Sequence, residues 1–200
     1  MFVKKLAALI RRSNSRAALL WLSLGLVGGI LLWNGFMLIL DATGTTEFCI
    51  SCHSMRAYVY PDYQRSIHYR NSKGIQAGCT DCHIPKPLAA KLVRKTTAGL
   101  TDIYHTLLGT IDTPEKFAAK KPLLDERVRE RMKASDSREC RNCHQLEQMD
   151  FAQQSAVASK LHQEAKQQHK TCIDCHQGVG HQPATAIDPN HDVEQGFSLE

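Results

Sequence analysis

All eight cysteines of this chain fall into one pattern, written four times: Cys49-Ile-Ser-Cys52-His53, Cys79-Thr-Asp-Cys82-His83, Cys140-Arg-Asn-Cys143-His144 and Cys172-Ile-Asp-Cys175-His176. Cys-x-x-Cys-His is the attachment signature of c-type haem. Its two thiols add across the two vinyl groups of one porphyrin, and the histidine that follows points at the iron. Zinc ribbons and thioredoxin-like sites share the Cys-x-x-Cys spacing, but neither requires a histidine directly after each pair. With 10 histidines in 200 residues, four such coincidences have a chance of roughly 10⁻⁵. Four structural disulfides would explain neither the histidines nor the uniform spacing. The sequence therefore predicts four covalent haems.

Composition points the same way. Of the apolar residues, which make up 42% of the chain, 26 lie in residues 1–40, leaving 58 for the other 160 positions, and eight of those are the motif cysteines. No tryptophan lies beyond Trp33. A domain so poor in aliphatic side chains would struggle to build a core of its own. Porphyrins are expected to fill it. The formal charge of +5 is just as localised: Lys4, Lys5, Arg11, Arg12 and Arg16 stand without any acid in residues 1–16, and the 20 remaining basic residues balance the 20 acidic ones. The main domain thus has no basic excess with which to bind nucleic acid.

From Ala17 to Leu40 the chain runs 24 residues without a charge. As a helix this covers about 36 Å, enough to cross a hydrocarbon core of roughly 30 Å. The run is longer than a signal-peptide core, and Leu38-Ile39-Leu40 is no small-residue cleavage site. The arginines before it place the N-terminus in the cytoplasm and residues 41–200 outside. The expected organisation is a basic arm (1–16), a transmembrane anchor (17–40), a helical tetrahaem domain (41–182) and a loosely ordered tail (183–200). The fold class is mainly α.

Motif starts are spaced by 30, 61 and 32 residues, as in a duplicated two-haem unit. His68 and His162 lie 11 and 10 residues before Cys79 and Cys172, the same place in each half. With His83, His144 and His176 as motif ligands, His68, His162 and His181 are the candidate distal iron ligands, their allocation among haems open. His105, His169 and His191 are assigned to the surface. The first half lacks a counterpart of His181, since Leu88 stands five residues after His83. One of its haems should lack a distal histidine, and the first, next to the membrane segment in sequence, is the candidate. A helix is expected from about Leu88 to Leu108, with Pro87 in its first turn and Lys91, Lys95 and Asp102 near one face. Spacing alone makes that face merely solvated. A second helix should start at Thr113-Pro114, break at Pro122, and continue as an exposed charged run from Asp125 to Lys133.

The chain resembles the NapC/NirT family of membrane-anchored tetrahaem cytochromes. The resemblance is carried by Thr46-Glu47-Phe48 leading into the first motif, Ser54-Met55 after it, Ser66-Ile67-His68-Tyr69, Ile111-Asp112-Thr113-Pro114-Glu115-Lys116-Phe117 and the third and fourth motifs. It is most like the NapC branch and carries no fifth-haem extension. The resemblance implies that Met55, rather than His53, ligates the first iron. It also implies that Lys95 and Asp102 line a quinol pocket, Asp102 beside the distal side of that haem, with Lys91 and His105 as substitutes. The activity implied is a quinol dehydrogenase of the bacterial inner membrane, oxidising menaquinol or ubiquinol and passing electrons to a soluble periplasmic reductase, nitrate reductase foremost. A homodimer is left open. The competing readings are a passive electron-transfer anchor without a quinol site, and a terminal nitrite or hydroxylamine reductase.

Overall fold

The computed structural model describes residues 15–183; most of the basic arm, nearly all of the tail and His191 lie outside that range. The described chain forms helices and turns, with no strand among the described residues. It divides after Gly44 into two compact units.

The first unit is α1, Ser15–Ala42, which extends beyond the uncharged run at both ends. It is apolar on every face: Leu19, Trp21, Leu22, Leu32 and Leu38 are all exposed. A helix apolar all round, long enough to cross a membrane and with none of its span buried in protein, fits lipid as its surroundings.

The second unit contains α2 (Thr46–Cys49), a π-turn (Met55–Val59), α3 (Tyr60–Gln64), α4 (Cys79–His83), α5 (Leu88–Leu107), α6 (Pro114–Ala134), α7 (Arg138–Arg141), α8 (Ala156–Gln167) and α9 (Cys172–Cys175). Local chemistry explains most boundaries. Thr45 caps α2 by accepting the Phe48 N–H at 3.1 Å. Pro87 precedes α5 as its N-cap, one position earlier than the sequence suggested, with ψ at 131°. Helix α5 is followed by Gly109, whose φ of +57° favours glycine; a Cβ there would meet the Asp112 carboxylate at 2.7 Å. Thr113 caps α6 as expected, its hydroxyl accepting from Lys116 N–H.

Pro122 does not break α6, which runs unbroken across it. A proline removes one helical hydrogen bond and costs about 3 kcal/mol. Here the neighbouring Lys121 is anchored from both sides, its ammonium donating to Asp125 at 2.9 Å and to the Gln182 carbonyl. The charged run after it is not a free face either. Arg129 donates to the Gln177 side chain at 3.1 Å and Lys133 pairs with Asp174 at 3.3 Å, so this face of α6 seats the fourth motif.

The core is almost absent. Tyr63 is the one buried apolar side chain among the described residues, and the others buried are Lys121, Ser137 and Glu139. Polar anchors join the unit's segments. Fully buried Ser137, in left-handed backbone at φ 49°, accepts the Ile173 N–H at 3.2 Å and ties α7 to α9. After the fourth motif, Gly178 (φ +76°) turns the chain back. Gln182 N–H then donates to Asp62 at 2.9 Å, joining the last described segment to the first half.

Candidate haem-binding and quinol site

Each Cys-x-x-Cys-His motif lies on a short helix or turn, and none of the eight cysteines is in a disulfide. The motifs neighbour one another in chain order. Cys49 hydrogen-bonds Cys79, α4 packs on α7, and the Cys140 thiol feels the charge of Cys172. The Cys49–Cys79 bond holds Cys79 down at about 6. It is also the main reason that Cys49 is pushed up, ahead of burial. Both thiols would be consumed by haem attachment, so what the pair records is how closely the first two motifs sit.

The histidines sort themselves into facing pairs. His83 faces His181 with ring centres 6.2 Å apart, His144 faces His68 at 6.1 Å, and His176 faces His162 at 5.8 Å. Two imidazoles bound on opposite sides of one metal, each through a bond of about 2 Å, hold their ring centres about 6 Å apart. The three pairs match that spacing. In the last of them the two Nε2 atoms approach to 3.5 Å. Among the described residues no three His, Cys, Asp or Glu side chains converge on one point, so the donor sets suit axial ligation of a haem and not a tetrahedral zinc site.

Second contacts orient these rings. His68 Nδ1 bonds the Val179 carbonyl at 3.0 Å, and His162 Nδ1 bonds Gln154 Oε1 at 2.7 Å. Each leaves Nε2 as the nitrogen free to bind metal. His181 has a buried Nδ1 with no hydrogen-bond partner. Burial, helped by His181 and two arginines, pushes His83 down to about 4, and burial pushes His181 down as well. Both rings are therefore neutral near pH 7, the form that can ligate iron. A small cleft beside Cys82 and His83 is lined by Pro85, Val128 and Met132 and by Arg131, Arg138 and Glu139.

The shared position of His68 and His162 in the repeat does not carry over to their partners. His162 faces the motif histidine that follows it, whereas His68 faces the third motif and His181 reaches back to the second. Two of the three pairs thus join the two halves. His105 and His169 face no other histidine among these ring contacts. His169 sits in left-handed backbone (φ 52°) just past α8, and His105 lies beside Tyr104 with its Nδ1 buried.

His53 is the exception among motif histidines. Its ring meets Tyr58 edge-on at 5.9 Å. Tyr58 stacks on Phe117 at 5.3 Å and donates its hydroxyl to the Asp112 carbonyl at 3.1 Å. Met55, half-buried, opens the π-turn just after the motif. Sequence reasoning did not single out Tyr58, although it lies three residues from Met55, nor Gln154.

Lys95 and Asp102 each lie within electrostatic reach of the first motif. The Cys49 thiol feels both, Lys95 drawing it down and Asp102 pushing it up. Asp102 is exposed, yet partial desolvation pushes its carboxyl above the usual carboxylate range, with Arg94 and His105 pulling the other way. Lys91, the named substitute, is not among the groups that act most on Cys49.

A family model described as the NapC/NirT cytochrome c family, N-terminal region, matches residues 11–186. The Denitrification system component NirT of Stutzerimonas stutzeri is 49% identical over 175 residues, 87% of each chain. The cytochrome c-type protein NapC of Escherichia coli is 44% identical over 187 residues, 93% of this chain and 91% of that one. The cytochrome c-type protein TorC of Escherichia coli is 43% identical over 182 residues, 90% of this chain and 46% of that one. No solved structure matches at a significant level.

Proposed function

This chain belongs to the NapC/NirT cytochrome c family, and from that premise we propose that it is a membrane-anchored quinol dehydrogenase carrying four covalent haems. It oxidises menaquinol or ubiquinol and passes the electrons to a soluble periplasmic reductase. The N-terminal arm lies in the cytoplasm, α1 crosses the inner membrane, and the second unit stands in the periplasm. Haem supplies the one-electron chemistry that divides a two-electron donor into single electrons.

The chain's own residues supply the rest. Cys49/Cys52, Cys79/Cys82, Cys140/Cys143 and Cys172/Cys175 attach the four groups. His83 with His181, His144 with His68, and His176 with His162 would hold three irons, and Met55 would hold the first. The carrying observation is that Lys95 and Asp102 lie within electrostatic reach of Cys49, at the one motif whose histidine faces no second histidine. Asp102 accepts the proton of a quinol hydroxyl, a role suited by a carboxyl already biased toward protonation. Lys95 holds the other oxygen and stabilises the charge that develops on it.

Purified holoprotein given a quinol analogue tests this. Asp102→Asn should lower the rate of haem reduction by about 10²-fold or more, the usual worth of a general base. The base works only when ionised, so in the native chain the rate should fall as pH drops through the raised Asp102 value, and the Asn variant should lose that acid limb. Full rate in Asp102→Asn would instead favour a passive electron carrier. The partner is a nitrate reductase on the NapC likeness. The name of the NirT relative, a denitrification system component, supports a denitrification reductase as the second choice, and reduction of each purified reductase by the quinol-loaded protein separates the two.

A further inference from the structure

The first motif holds two candidate iron ligands within three residues, His53 and Met55. Imidazole is a good ligand for iron and would be expected to compete with the thioether. Something in the fold must disfavour His53. The Met55 reading above is the premise here, and it leaves open what sets the histidine aside.

We infer that Tyr58 is a positioning residue that holds His53 out of metal ligation and so leaves the first site to Met55. His83, His144 and His176 each have a second histidine ring about 6 Å away, whereas the ring against His53 is that of Tyr58, with centroids 5.9 Å apart and planes at 79°. Tyr58 is itself held at two points. Its ring stacks on Phe117 at 5.3 Å, and its hydroxyl bonds the Asp112 carbonyl at 3.1 Å. Those two residues flank the capped start of α6, where Lys116 Nζ bonds the Gly109 carbonyl at 2.9 Å and the Asp112 carboxylate at 2.7 Å. The clamp therefore rests on a hydrogen-bonded turn. Met55 and Tyr58 also share one element, the π-turn Met55–Val59. Such turns insert an extra residue and re-aim the side chains around it. One local distortion both presents Met55 and brings Tyr58 onto His53.

The test uses full-length holoprotein, with four haems per chain verified by mass. The readouts are the charge-transfer band of a thioether bound to ferric iron and the reduction potentials of the individual haems. In Tyr58→Ala the band should disappear and one haem's potential should fall, since a thioether ligand raises the potential relative to imidazole. The other three haems should keep their native values. Phe117→Ala should act in the same direction, and Tyr58→Phe, which keeps the ring and loses the hydroxyl bond, more weakly. Retention of the band and potential in Tyr58→Ala with four haems bound overturns the inference, as do equal shifts at several haems, which would mark a general packing role. If Tyr58→Ala does not mature with four haems, Phe117→Ala decides by the same criteria. Met55→Leu separates the premise from the inference. A native spectrum without the band, unchanged by Met55→Leu, refutes the Met55 reading. A band lost in Met55→Leu but kept in Tyr58→Ala refutes the clamp alone.

Discussion

Replacing Lys121 with methionine should loosen one distal ligand and leave the others in place. The segment carrying His181 is pinned by three bonds: Val179 C=O to His68 at 3.0 Å, Gln182 N–H to Asp62 at 2.9 Å, and Gln182 C=O to the Lys121 ammonium. Methionine has nearly the length of lysine but no charge. The variant loses a hydrogen bond to a charged donor, worth about 1.5–3 kcal/mol. It also loses the Lys121–Asp125 pair, which adds little because Asp125 is 31% exposed. A net loss of that size raises the population of the detached segment by about 10- to 150-fold. Carbon monoxide can bind a ferrous bis-histidine haem only after a distal ring leaves. Its binding rate at the His83–His181 haem should rise by that factor, measured by stopped-flow mixing of reduced protein with the gas. Lys160→Met, at a pair whose partners are 77% and 45% exposed, should change nothing. An unchanged rate in Lys121→Met, or an equal rise at the His176–His162 haem, would refute the reasoning.

Gln154→Leu should act on the fourth site. Removing the 2.7 Å bond to His162 Nδ1 frees the ring to reorient and makes it a weaker donor, which costs about 10–100-fold in ligand affinity. In a redox titration the potential of that haem alone should rise. The chain made without haem attachment should show no cooperative thermal transition by calorimetry. One buried tyrosine contributes about 4–6 kcal/mol at most, while ordering the backbone costs about 1–2 kcal/mol for every residue.

Much of this was legible in the sequence because it is local. A thioether link to porphyrin needs two thiols and a ring within five consecutive residues, so the four attachment sites can be read without a fold. The same holds for α1, whose length answers to membrane thickness, and for the Thr113 cap, whose hydroxyl reaches an N–H three residues on. The shortage of aliphatic side chains was legible too: among the described residues Tyr63 is the one buried apolar side chain. Pro122 was misjudged because α6 runs across it, and the neighbouring Lys121 finds a partner outside the helix, the Gln182 carbonyl, that no local pattern announces.

The pairing of histidines was not local and could not be read that way. Repeat position marked His68 and His162 as equivalent, yet one faces the third motif and the other the fourth, and His181 returns to the second. No spacing rule links rings so far apart in the chain. Their meeting depends on the turn at Gly178, on Asp62 and Lys121 gripping Gln182, and on Ser137 joining α7 to α9. Likewise the sequence placed His53 and Met55 two residues apart, and what the fold adds is the packing of Tyr58 between His53 and the start of α6. The sequence by itself determined which groups this protein can hold, because covalent attachment is short-range chemistry. The tertiary structure decided which side chains face each of them, because axial ligation joins residues brought together only when the chain folds.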